Sequence, residues 1–124
     1  MERQQMEDYQ KLLSYIPYFE KEDTEFCNWD SGYPDYDEKL SEFIKAAYET
    51  DILRTDYLEY MEERIKDHDL PAAIPSADLK LLKAILTYYV RQERFSDGLW
   101  ARAARDKVFL GILYRLRDLT ITKA

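Results

Sequence analysis

The sequence predicts an all-α domain. Three observations carry this: apolar residues recur every three or four positions through most of the chain, glycine and proline number only 3 and 4, and no run alternates long enough to make a strand. At 124 residues the chain favours one domain, 1–124, of a size that buries about two-thirds of its unfolded surface. Five to six helices are expected, packed as a bundle-like or orthogonal array.

Met6, Tyr9, Leu12, Leu13 and Ile16 share one face of a first helix, which Pro17 is expected to stop. Residues 20–34 read as an acidic loop holding Trp29 and the turn Ser31-Gly32. A second helix is expected from Asp35, with Glu38 at capping-box spacing and an apolar stripe of Leu40, Phe43, Ile44, Ala47 and Tyr48. A third starts near Asp56, with Glu59 at the same spacing and Leu58, Met61 and Ile65 inward. Pro71 and Pro75 bound a connector.

Ser76 opens the longest predicted helix, to about Phe95. Leu79, Leu82, Ile85, Leu86 and Tyr89 gather on one side, and Lys80, Lys83, Thr87, Arg91 and Arg94 on the other. Ser96-Asp97-Gly98 breaks it. A short helix with Leu99, Trp100, Ala103 and Ala104 follows, then a last one from about Val108 to Leu119.

The net charge of −7 is unevenly spread. Residues 1–75 hold 8 Lys or Arg against 20 Asp or Glu, a net −12, and residues 76–124 hold 10 against 5, a net +5. Either the two halves pair internally, or one pole is an interaction surface.

Catalytic equipment is sparse. One cysteine, Cys27, rules out an internal disulfide and a cysteine-built zinc site, and the carboxylates around it should raise its pKa. The one histidine, His68, lies in Lys66-Asp67-His68-Asp69, which reads as a solvated loop. There is no glycine-rich phosphate loop and no nucleophile elbow, so no catalytic residue, cofactor or metal is assigned. The most apolar stretch, Leu79 to Val90, is too short and too charged to span a bilayer, and the N-terminus has no apolar signal region. A soluble, cytoplasmic protein is expected.

The most distinctive segment is Arg91 to Trp100. On a continuous helix Glu93 falls on the apolar phase, about opposite Arg91, where a carboxylate is costly without partners. Arg94, Arg102, Arg115 and Arg117 are the expected partners. Glu93 is then either a structural ion pair or part of a ligand pocket. The candidate binding set is Arg91, Glu93, Arg94, Phe95, Asp97, Gly98, Trp100 and Arg115. A second set, Trp29, Asp30, Tyr33, Asp35, Tyr36 and Asp37, is the candidate exposed anchor, since tyrosine and tryptophan present an apolar body with a polar tip.

Arg91-x-Glu93-Arg94-Phe95-x-Asp97-Gly98, followed by Ile112-Leu113-x-Arg115-Leu116, resembles a family of small uncharacterised bacterial proteins with an Arg-x-Glu-Arg-Phe-x-x-Gly signature. Tyr15-Ile16-Pro17-Tyr18-Phe19 and Tyr33-Pro34-x-Tyr36 extend the resemblance over nearly the whole chain. It implies a shared fold and an occurrence in bacterial genomes and mobile elements, and it implies no activity.

Three functions follow as expectations. The first is a non-enzymatic acidic module that binds a protein, in one version a phage or mobile-element accessory inhibiting a host nucleic-acid-handling or defence complex. The second is nucleic-acid binding through Lys80, Lys83, Arg91, Arg94, Arg102 and Arg105, which the net negative charge opposes. The third is a small-molecule or enzymatic pocket around Glu93. The opposed poles also allow a homodimer.

Overall fold

The computed structural model describes residues 3–22, 24–30, 33–50, 53, 56–65, 69–95 and 98–121. Helices dominate, as the periodicity predicts. They are α1 (Arg3–Leu13), α2 (Ile16–Glu20), α3 (Glu38–Glu49), α4 (Tyr57–Arg64), α5 (Leu70–Ala73), α6 (Leu79–Arg91), α7 (Leu99–Arg105) and α8 (Val108–Ile121). Single 3-10 turns occupy Ile74–Ser76 and Gln92–Phe95.

Several boundaries differ from expectation for local reasons. Pro17 starts a helix instead of stopping one: it sits in the first turn of α2, where a missing N–H costs nothing. Asp35 does not cap α3, because it lies in a strand. The cap position falls to Asp37, whose carboxylate accepts the Tyr18 hydroxyl at 2.7 Å. Asp56 does precede α4, without a side-chain cap bond. Ser76 ends a 3-10 turn, and Asp78 opens α6 by accepting the Leu81 N–H at 2.8 Å.

The predicted acidic loop contains a two-stranded antiparallel hairpin, β1 (Cys27–Asp30) and β2 (Tyr33–Tyr36). Its register pairs Cys27 with Tyr36 and Trp29 with Pro34. The strands are four residues each, below the length at which alternation is legible. The predicted turn Ser31-Gly32 lies outside the described residues, as do His68 and Asp97.

One continuous core joins the two halves of the chain. Phe19, at its centre, packs edge-on to Phe43 with ring centroids 5.0 Å apart, and Phe109 lies 5.8 Å away. Helix α6 is buried on most sides: Leu82, Ala84, Ile85, Leu86, Thr87, Tyr89 and Val90 are all enclosed. It packs on α4, α7 and α8, while α1 and α2 pack on α8. The predicted basic stripe of α6 is therefore not one open face. Thr87 is fully buried, and Lys83 is half-buried with its ammonium 5.8 Å above the Tyr9 ring. Two apolar residues read as inward are half-exposed, Tyr48 at the end of α3 and Leu58 at the start of α4.

Lys107 fastens the basic half to the acidic half. Lys107, in the turn between α7 and α8, donates from Nζ to the Phe19 and Lys21 carbonyls at 2.9 and 3.1 Å, closing the end of α2. Within the basic half, Arg115 on α8 donates from Nε to the Ala77 carbonyl at 2.8 Å.

Candidate functional site

The α6–α7 corner gathers most of the distinctive side chains. Helix α6 stops at Arg91 and tightens into the 3-10 turn Gln92–Phe95. The tighter winding breaks the 3.6-residue phase, so Arg91 and Glu93 line the same cleft instead of opposite faces. Gly98 then takes the left-handed conformation, φ 88°, at the cap position of α7.

Glu93 is the hub. Its Oε2 accepts the Gly98 N–H at 3.0 Å and its Oε1 accepts the Trp100 N–H at 3.0 Å. The carboxylate thus satisfies two amides that a helix start leaves without intrahelical partners. Tyr36 from β2 donates its hydroxyl to the same carboxylate and accepts the Gly98 N–H at 3.0 Å. Burial first, then the bond to Glu93 and its charge, holds the Tyr36 phenol well above the ordinary tyrosine range. A charged partner is what a part-buried carboxylate requires on sequence grounds. Here backbone amides and a tyrosine fill that role, and Arg115 does not, since it is engaged with Ala77.

Aromatic rings complete the corner. Trp100 donates its indole N–H to the Val90 carbonyl at 3.1 Å, and its ring lies 5.1 Å from that of Tyr36. Trp29 from β1 covers Gly98: a Cβ there would sit 2.6 Å from the indole Cζ2. The hairpin is therefore clamped to the corner, with Trp29 remaining 54% exposed.

The two predicted residue sets thus converge in part. Arg91, Glu93, Gly98 and Trp100 meet Trp29 and Tyr36 at one junction. Asp35 is exposed, and Asp37 is engaged with Tyr18, away from the junction. Asp97 and the side chains of Arg94, Phe95, Asp30 and Tyr33 lie outside the described residues. Cys27 sits half-buried on β1. Burial raises its thiol pKa, a backbone hydrogen bond at Asp35 lowers it, and the Glu93, Asp35 and Glu25 carboxylates raise it further. The net shift is upward, against a thiolate nucleophile.

Two concavities accompany the junction. A cleft of about 470 Å³ is lined by Tyr48, Val90, Arg91, Glu93 and Trp100. A groove of about 420 Å³ runs between α4, the start of α5 and Tyr88 of α6. Sequence reading missed both, because each depends on an apolar side chain that the fold leaves half-exposed, Tyr48 for the cleft and Leu58 for the groove. The legible signal was Tyr57, Met61 and Ile65, spaced four apart and all buried, which turns the adjacent Leu58 outward. Among the described residues no three His, Cys, Asp or Glu side chains gather as a metal site. Nor is any helix there long and apolar enough to cross a membrane.

The chain matches a family model over residues 4–122. It belongs to a family of unknown function, DUF6508. No curated protein and no solved structure matches it. Membership in DUF6508 assigns no activity to the chain.

Proposed function

We propose that the protein is a non-enzymatic, protein-binding module whose acidic half receives a basic amphipathic segment of its partner in the groove beside α4. The observation that carries this is the composition of that groove. Leu58, Met61, Ile65, Leu70 and Tyr88 supply the apolar surface, Glu59 and Glu62 supply the rim, and among the described residues no lysine or arginine lines it. Leu58 is 51% exposed and lies beside Met61, Ile65, Leu70 and Tyr88 in the groove, which gives the apolar surface an open edge. An amphipathic segment would bury its apolar side there and set its cations against the two carboxylates, which act on association rate and register more than on affinity.

The net −12 of residues 1–75 fits a partner whose own surface is basic. A nucleic-acid-handling or defence protein is such a partner, with the module carried as a bacterial phage or mobile-element accessory that occupies a phosphate-binding surface. The resemblance in the Arg91–Gly98 segment is the support for that setting.

The test is affinity capture at physiological salt with the wild type and with the Glu59→Lys/Glu62→Lys variant, followed by cross-linking to locate the contact. The expected result is a stoichiometric protein that cross-links to α4 through a lysine- or arginine-rich segment and is lost on charge reversal. Capture of no stoichiometric protein, retention of it by the variant, or recovery of nucleic acid alone would overturn the reading.

A further inference from the structure

The cleft at the α6–α7 corner lies apart from the α4 groove and has a different chemistry. Among the described residues its one cation is Arg91, on the last turn of α6. Arg91 Nε is buried and has no hydrogen-bond partner. A buried donor left unmade is costly, and guanidinium groups are ordinarily satisfied by planar, two-oxygen acceptors. Glu93 shares the cleft but does not supply that acceptor. Its two oxygens are held by Gly98, Trp100 and Tyr36.

Val90, Trp100 and Tyr48 line the cleft beside Arg91. The Trp100 indole is pinned by its bond to the Val90 carbonyl, and Tyr48 stands half-exposed at the mouth. A volume of about 470 Å³ lies in the range of small-molecule sites.

We infer that this cleft binds a small organic monocarboxylate, its two oxygens paired with the Arg91 guanidinium and its apolar or aromatic body laid between Trp100 and Tyr48. The fixed charge of Glu93 decides the anion. Glu93 already offsets the Arg91 charge in the cleft, so a bound anion meets like-charge repulsion there, and a monocarboxylate meets less of it than a phosphate dianion. The aromatic walls favour a flat or branched body over a highly hydrated one.

The experiment is a two-dimensional ¹H–¹⁵N NMR titration of the full chain with phenylacetate, read at the Trp100 indole N–H and the Arg91 Nε–H. 2-Phenylethanol serves as the neutral control and inorganic phosphate as the competing anion. The expected result is a saturable shift at both groups with a Kd on the order of 1 mM or tighter. The Arg91→Gln variant should weaken it about tenfold or more, the loss of a charged hydrogen-bonding pair. Tyr48→Ala, at an exposed position outside the core, should weaken it several-fold and keeps the test alive if Arg91→Gln does not fold. Four outcomes would overturn the assignment. These are no saturation at concentrations on the order of 10 mM, equal shifts with the alcohol, tighter binding of phosphate, or affinity unchanged in both variants.

Discussion

Gly98 carries two separate demands at one position. Its backbone is left-handed, which costs an L-residue about 1–2 kcal/mol, and the Trp29 ring occupies the space a Cβ would need. The two demands can be separated. Gly98→Ala should cost about 3 kcal/mol in urea unfolding, the sum of backbone strain and a packing clash. In a Trp29→Ala background the same substitution should cost about 1–2 kcal/mol, since only the strain remains. Equal costs in both backgrounds would show that Trp29 does not rest on Gly98. Residue-scale reading from sequence went part of the way here. Glu93 stood out as a carboxylate on an apolar phase, and its oxygens bind the first amides of α7 and the Tyr36 hydroxyl. Its partners were illegible because two are backbone amides, which every residue has, and the third is Tyr36, far away in sequence. Trp29 and Tyr36 stood out as an aromatic pair for a partner, whereas the fold commits Tyr36 and one edge of Trp29 to the α6–α7 corner.

Elements were legible where they are long. The periodic stripes of α1, α3, α6 and α8 locate those helices within a few residues. Short elements were not, because two four-residue strands, a five-residue α2 and a four-residue α5 offer no more than two periods of any pattern. Such elements are held by tertiary contacts. Lys107 is the clearest example: it adopts φ 65°, and its ammonium closes the carbonyl end of α2. Replacement by alanine keeps the strain and loses the cap. Replacement by glycine loses the cap but relieves the strain. Lys107→Ala should therefore be less stable than Lys107→Gly by about 1 kcal/mol, with both below the wild type. Thermal or urea unfolding of the pair checks the order, and a more stable alanine variant would contradict it.

At the scale of the whole molecule, the charge division near Ser76 is real in the sequence but does not divide the core. Phe19 and Phe43 from the acidic half pack with Phe109 from the basic half. That interlock was not readable from composition, since it depends on which helices meet. The same packing encloses tyrosines. Burial is the leading cause that raises Tyr18, Tyr36 and Tyr89, with Tyr89 pushed to about 12. In the unfolded chain these phenols ionise near the ordinary value of 10.0, while in the fold they stay protonated. Above that pH the unfolded state binds fewer protons, so stability must fall as pH rises. The urea midpoint should hold steady below about pH 10 and decline above it. Tyr36→Phe should lower the midpoint at neutral pH and flatten the alkaline decline. A decline of unchanged steepness in that variant would remove Tyr36 from the account. One further consequence follows from where the indoles lie. The chain has two tryptophans, and both stand at the α6–α7 corner, Trp29 above Gly98 and Trp100 beneath Tyr36. The tryptophan fluorescence of the protein, excited where its 11 tyrosines do not absorb, is thus a local signal from that corner, an optical gauge of whether the hairpin is seated.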